Sequence, residues 1–291
     1  MIHPILNTEY KSLPLEQRAW KNNQQFELQN GIGSIKDLFI QLSHFAGMPR
    51  FWLRGESKQY EDENGLITSC MSTFSRSHKP ETASLHKEPI KIDNIDIALS
   101  CITNEEIQII DEFKKNHPND EFFIKMVDLN TDNVGWLSYA QHYGISTRLV
   151  DITENPLVAL YFACNQHQQN DGWIFMYTTQ FESMEYENYK EMFNGALGDQ
   201  SALEYYKNGK INEYKPNGFR PVIKFPVLIK IPQPNDRVLR QKGAFIWSAE
   251  PFRPLLEGTI VLKIKAESKG AILSELKRFG IDKEGLGLKN N

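Results

Sequence analysis

Three segments of the sequence concentrate polar and ionisable residues within apolar surroundings. They cover 51–56, 141–163 and 235–245. Each contains arginine, whose planar guanidinium binds phosphate or carboxylate through two parallel hydrogen bonds. Because buried polar groups must find partners or line a site, we predict that the three segments converge on one polar site. An anionic ligand is the chemistry that such a site would serve.

The first segment places an arginine beside a glycine. Arg54 follows three apolar residues at the end of a predicted strand and precedes Gly55. Its guanidinium is suited to hold an anion bidentately, and Gly55 would let a ligand approach the backbone closely. The alternative is structural, with Arg54 bridging to Asp151 or Glu154 as an ion pair. The sequence leaves both interpretations open.

The second segment clusters hydrogen-bonding side chains before a glycine turn. Gln141, His142 and Tyr143 stand together, and the imidazole of His142 is either a general acid or base or a hydrogen-bonding group of the core. Arg148 follows Thr147 in an apolar strand. A buried arginine needs a partner, either a carboxylate or an anionic ligand. We therefore predict that Arg148 is buried and paired with a carboxylate, either Asp151 or Glu154.

The third segment carries Arg237 and Gln241 on either side of Val238 and Leu239, in a run predicted as a strand. A neutral amide is a positioning group and not a base, so Gln241 is expected to orient a ligand. Together the three segments predict a pocket that draws on distant parts of the chain.

The elements that must position these residues combine helices with many short strands. Residues 1–33 are a polar lead-in, 34–291 are one domain, and 180–220 are a tyrosine-rich insertion. The expected fold is a single mixed α+β domain with a β-rich core flanked by helices. Apolar spacing predicts helices over 35–45, 104–115, 136–143 and 156–163, and a closing helix through 273–279. Thr153 is the predicted cap of the helix over 156–163. Strands are predicted over 51–55, 147–151, 173–177, 222–231, 238–247 and 259–264, and a strand or turn over 67–76.

The composition is that of an ordinary globular protein and excludes several classes. The chain has 291 residues, 40% of them hydrophobic, so disordered and fibrous classes are excluded. Its 33 Lys+Arg against 37 Asp+Glu leave a net charge of −4, which gives no reason to expect general affinity for nucleic acid or membrane. Three widely spaced cysteines and the absence of a leader or long apolar run favour a cytoplasmic location without membrane contact.

Sequence motifs of the common enzyme sites are absent. There is no GxxxxGK[ST], GxGxxG, HExxH or GxSxG pattern, so P-loop, dinucleotide-fold, zinc-protease and hydrolase interpretations lack support. The nearest metal spacing is Cys164 with His167, and no second pair accompanies it. We therefore expect no metal site.

The same three segments resemble the FRG domain, a family named for its Phe-Arg-Gly motif. Residues 51–56 resemble the founding motif, and 141–163 resemble the longest family stretch, a Gln-His-Tyr-Gly turn followed by Thr-Arg-Leu, Asn-Pro and an apolar helix. Arg76 is similar to an arginine that follows the first motif. Residues 241–245 resemble a downstream Gln-x-Gly-x-Phe element, and 272–281 resemble the closing helix. The resemblance implies a bacterial or phage-related protein, often with a toxin or antiviral-defence role.

A weaker resemblance, to the ADP-ribosyltransferase core, adds NAD as an expected substrate. The candidates for catalysis are Arg54, His142 and Gln241. The candidates for binding the nucleotide or NAD are Arg54, Gly55, Gln141, Tyr143, Thr147, Arg148 and Arg237.

Two functions of different classes remain open at this point. The first is an enzyme directed at NAD, either an ADP-ribosyltransferase or an NAD glycohydrolase, acting on a protein or nucleic-acid target where it transfers ADP-ribose. The second is a non-catalytic ligand-sensing or protein-interaction module. An enzyme of this kind needs a carboxylate to stabilise an oxocarbenium-like state. A carboxylate that converges on the arginines would therefore favour the enzyme.

Overall fold

The computed structural model describes residues 31–47, 51–61, 68–77, 108–116, 133–178, 227–230, 236–247 and 259–288. The predicted lead-in at 1–33 lies outside the described residues except for its last three. The predicted insertion at 180–220 lies wholly outside them.

Six strands form one sheet in the order β4-β5-β2-β1-β3-β6. Each neighbouring pair in this sheet is antiparallel. An antiparallel sheet with helices packed on it confirms the predicted α+β class. The strands are β1 Phe51–Glu56, β2 Val150–Thr153, β3 Gly172–Thr178, β4 Val227–Ile229, β5 Gly243–Trp247 and β6 Thr259–Ile264.

Helices precede, separate and follow the strands, and residues 108–116 are also helical. They are α1 Ile35–Ser43, α2 Thr73–Ser77, α3 Asn133–His142, α4 Pro156–Cys164, α5 Asp236–Arg240 and α6 Lys269–Arg278. None of the helices in the described ranges is long and apolar enough to cross a membrane.

The two faces of the sheet bury different clusters because side chains alternate along a strand. Leu53 of β1 and Ile174 of β3 point into a cluster that holds residues of α1, α4 and α6. Trp52 and Phe175 point to the other face, where each of the six strands contributes at least one apolar side chain. Arg54 and Glu56 are two and four residues from Trp52, so they share its face of β1.

Two glycines allow α4 to lie directly on the sheet. A Cβ atom at Gly55 would overlap the carbonyl oxygen of Ala159, and one at Gly172 would overlap that of Ala163. The backbone of α4 therefore occupies the space that side chains on β1 and β3 would need. The close approach that we predicted for Gly55 is made here by a helix of the protein itself.

The predicted start of α1 is confirmed. Ser34 is its N-cap and accepts a hydrogen bond from the Asp37 backbone N–H at 3.1 Å. Asp37 returns a bond through its carboxylate, which accepts from the Gly33 N–H at 3.1 Å. The reciprocal bond thus reaches one residue further back than in the usual capping box.

Three predicted elements were wrong in detail. Thr153 is not the cap of α4, because Asn155 accepts from the Leu157 N–H and Thr153 is part of β2. Residues 73–77 form a short helix where a strand or turn was predicted. The predicted strand over 238–247 is divided into α5 and β5, and Lys242 between them adopts a left-handed φ of 47°. Apolar runs this short do not distinguish a helical turn from a strand.

Candidate functional site

An open cleft of about 570 Å³ lies beside the end of β1, a volume within the range of small-molecule sites. Its wall is assembled from β1, α2, the end of α3, α4, α5 and the segment after α6. The described residues that line it are Arg54, Gly55, Glu56, Ser57, Tyr60, Arg76, His142, Tyr143, Gly144, Tyr161, Phe162, Asn165, Gln166, Arg237, Lys283, Gly287 and Leu288.

Arg54 is anchored on both sides of its guanidinium. Its Nε donates to Glu56 Oε1 at 2.8 Å, and its Nη1 donates to the backbone carbonyl of Asp151 at 2.9 Å. The ion pair predicted with the Asp151 or Glu154 side chain is thus replaced by one with Glu56, while Asp151 contributes its carbonyl. These two bonds hold the guanidinium in one orientation at the cleft.

Glu56 is the carboxylate shared by two arginines. The residue is only 3% exposed, and its Oε1 lies 3.7 Å from Arg76 Nη1 in addition to its bond with Arg54. Oε1 also accepts from the Cys70 backbone N–H at 3.0 Å. Cys70 adopts a left-handed φ of 62°, a conformation that costs about 1 kcal/mol or more for a residue other than glycine. Glu56 is therefore a buried anchor beneath the arginines.

The two arginines respond differently to this shared carboxylate. Burial is the largest single influence and acts to lower the pKa of Arg54, but the combined attraction of Glu56, Cys70, Tyr177 and Asp151 outweighs it and raises that pKa. Burial and the repulsion of Arg54 lower the pKa of Arg76, against the weaker attraction of Glu56. The charged form of Arg76 is consequently less favourable in the folded protein than in water. The side chain nevertheless stays protonated at any ordinary pH, as arginines do.

Arg76 also stacks on an aromatic ring. Its guanidinium carbon lies 4.4 Å from the centre of the Tyr60 ring. Its Nη1 is buried and has no hydrogen-bond partner among the described residues. An arginine held flat between a ring and a carboxylate, with donor capacity left over, is oriented for a planar anionic group.

The cleft brings together five of the residues predicted for the site. Arg54, Gly55, His142, Tyr143 and Arg237 all line it. Each of the three polar segments therefore contributes at least one lining residue, as the predicted convergence requires. The roles of these residues in binding or catalysis stay predictions.

Gln141 and Thr147 are not among the lining residues. The Thr147 hydroxyl donates to Gln141 Oε1, and Gln141 Nε2 donates to Asp151 Oδ2 at 2.7 Å. This chain of bonds ties the end of α3 to β2. It positions the neighbouring His142 and Tyr143 at the cleft.

Arg148 is buried, as predicted, with 3% of its surface exposed. Its guanidinium lies 4.9 Å from the centre of the Trp247 ring, a cation–π contact between the segment that precedes β2 and the last residue of β5. The carboxylates expected as its partners have contacts elsewhere, since Asp151 accepts from Gln141 and Glu154 pairs with Lys230 at 3.1 Å. Arg148 is not among the residues that line the cleft.

Gln241 is also placed behind the cleft. Its Nε2 donates to the Leu286 carbonyl at 3.1 Å, and its own carbonyl accepts from the Thr153 hydroxyl. Leu286 is buried, and the residues around it, Lys283 and Gly287, line the cleft. Gln241 thus fastens the segment after α6 to the sheet.

A buried lysine joins two further parts of the wall. The Nζ of Lys269, which is fully buried, donates to the carbonyls of Ser57, Gln166 and His167 at 2.6, 3.2 and 3.1 Å. Ser57 and Gln166 line the cleft. The three donors of the ammonium are all used, which fixes the end of β1 against the end of α4.

Sequence reasoning missed several lining residues. Glu56 could have been found, because residues two apart on a strand share a face and Glu56 follows Arg54 by two. Tyr60 and Lys283 carried no signal of their own, since their place depends on contacts between distant segments. Within the described ranges, no group of three or more histidine, cysteine, aspartate or glutamate side chains is arranged to hold a metal ion.

Comparison with known proteins identifies one family. Residues 50–172 match the family model described as the FRG domain, which confirms the resemblance inferred from the three segments for that part of the chain. No curated protein and no solved structure matches the chain. The ADP-ribosyltransferase-like refinement of the fold is not confirmed, and the wider domain extent of 34–291 stays a prediction. The matched segment contains β1, Arg76, α3 and α4, and residues 50–172 are thus the part of the chain that is similar to the FRG domain.

Proposed function

We propose that the cleft binds a small anionic ligand of the nucleotide class, such as a nucleotide or NAD. The observation that carries the proposal is the shared carboxylate: Arg54 and Arg76 both face the single Glu56, so one positive charge is left over. Arg237 and Lys283 line the same cleft. Among the residues described there, Glu56 supplies the only carboxylate.

The aromatic side chains of the cleft support a nucleotide over a plain inorganic anion. Tyr143 is 44% exposed at the end of α3, and Tyr161 and Phe162 meet edge to face with ring centres 5.5 Å apart. Aromatic faces near guanidiniums suit a ligand that joins a planar base to a phosphate. A pocket of this composition is the default ligand site of a globular domain.

The charge on Arg76 provides the test of binding. Arg76→Gln removes a cation whose charged form is unfavourable in the fold, so we expect the melting temperature to stay level or rise. The same change should weaken nucleotide binding at least tenfold, since hydrogen bonds to charged groups contribute about 1.5–3 kcal/mol. Calorimetric titration with AMP, ADP and NAD, beside a thermal melt, measures both quantities.

Arg278→Gln is the matched control for that experiment. Arg278 is an exposed arginine in the last turn of α6 and does not line the cleft. Its loss changes the net charge equally and should leave the affinity within about twofold of the unmodified protein, because exposed charges at a distance are screened by salt. Equal binding by Arg76→Gln and the unmodified protein would contradict the assignment of the cleft as the anion site.

NAD-directed chemistry is the second candidate, favoured by the position of Glu56 beside Arg54 at the cleft. If the protein is an NAD glycohydrolase, it will release nicotinamide and ADP-ribose from NAD and water, and mass spectrometry will detect both products. Glu56→Gln, which keeps the shape and removes the charge, should abolish release. Binding without release would instead identify a non-catalytic ligand-sensing module.

A toxin or antiviral-defence role would rest on that chemistry. Expression of the unmodified chain in bacteria should then arrest growth, and Arg76→Gln should relieve the arrest while the folded protein accumulates to the same level. Growth arrest that persists in Arg76→Gln would separate the toxicity from the cleft.

A further inference from the structure

We infer that the ligand of this cleft carries a diphosphate, held between two separate cationic walls. The inference rests on the proposed function and specifies its ligand class. The walls are the β1 wall, formed by Arg54 and Arg76, and the C-terminal wall, formed by Arg237 and Lys283.

The β1 wall carries a small net charge on two guanidiniums that are held in fixed orientations. Its two guanidiniums share Glu56, so the wall carries one net positive charge. Arg54 is fixed by Glu56 and by the Asp151 carbonyl, and Arg76 is fixed by the Tyr60 ring. A rigid wall with one net charge and several remaining N–H donors is suited to a single phosphate group.

Within the described part of the chain, no carboxylate forms an ion pair with the C-terminal wall. Neither Arg237 nor Lys283 forms an ion pair with a carboxylate in the described ranges, whereas Lys230 and Lys263 elsewhere on the sheet each have one. A Cβ atom at Gly287 would lie 3.7 Å from the Cα of Arg237, so this segment runs close to α5, and the Gln241 bond to Leu286 holds it in place. Two cations therefore line the cleft on elements remote in sequence from β1.

Charge complementarity between cleft and ligand then favours two linked phosphates. The described lining residues include four cations and one carboxylate, a local excess of three positive charges in a chain of net charge −4. A monophosphate can contact one wall and leaves the other without a counter-charge. A diphosphate places an anionic group at each wall, and every such charge-assisted contact adds affinity.

Titration of the full chain with AMP, ADP and inorganic pyrophosphate tests the inference. ADP should bind at least tenfold more tightly than AMP, because a second charged contact contributes about 1.5–3 kcal/mol. In the double variant Arg237→Gln/Lys283→Gln, the ADP affinity should fall to that of AMP, while the AMP affinity changes less than threefold. Pyrophosphate should compete with ADP for the unmodified protein.

The double variant Lys277→Gln/Arg278→Gln removes the same charge from exposed positions of α6 outside the cleft. It should keep the tenfold preference for ADP, and thermal melts should show that both double variants are folded. Equal affinity for AMP and ADP, or an equal loss of both in Arg237→Gln/Lys283→Gln, would overturn the diphosphate and leave the proposed nucleotide site standing. Failure of all three ligands to bind would overturn the proposed function and the diphosphate with it.

Discussion

Glu56→Ala should lower the free energy of unfolding by about 3–5 kcal/mol, because it leaves two guanidiniums facing each other without their shared carboxylate. The lost side chain is 2% exposed, so water cannot replace it. It also removes the acceptor for the Cys70 N–H. Urea denaturation monitored by circular dichroism measures the change.

A double-mutant cycle makes this prediction specific to charge. In the Glu56→Ala background, Arg76→Gln should restore part of the lost stability, because it removes one of the two cations that repel each other. Glu112→Ala is the control, since Glu112 is exposed on the helical segment 108–116 and its loss should cost less than about 0.5 kcal/mol. A Glu56→Ala protein that unfolds at the urea concentration of the unmodified one would refute the anchor.

Gly55→Ala should cost about 3 kcal/mol or more, since the new methyl group meets the backbone of α4 and not a flexible side chain. The overlap involves the Ala159 carbonyl and the Ala163 nitrogen, and neither can move without displacing the helix from β1. The expected result is a lowered unfolding midpoint or failure to fold.

Gly270→Ala separates this packing effect from the general effect of replacing glycine. Gly270 lies in α6, and a Cβ atom there would meet nothing within 4 Å. Its replacement should stabilise the protein by about 0.5–1 kcal/mol, because alanine loses less backbone entropy on folding. If Gly55→Ala keeps normal stability but loses nucleotide binding, then Gly55 serves the ligand as the sequence first suggested.

The local elements of this fold were largely readable from the sequence. The period-two pattern of 259–264 predicted β6 with its observed bounds, and the apolar run before Gly55 predicted β1. The predicted helix starts at 35 and 156 are observed, and Ser34 and Pro156 explain them, because capping and the restricted φ of proline act within a few residues. The prediction of one strand over 238–247 was wrong, because the short elements α5 and β5 share that apolar run.

The sequence by itself determined the FRG-domain similarity of residues 50–172, the α+β class and the three polar segments that supply the cleft. Only the tertiary structure decided which carboxylate neutralises Arg54: the sequence offered Asp151 or Glu154, and the structure pairs Arg54 with Glu56. It also placed Gln241 against Leu286 and brought Lys283 to the cleft. The physical reason is the sequence distance over which the interactions act. Helix and strand patterns arise from neighbours in sequence, whereas the partner of a buried charge depends on how distant segments pack.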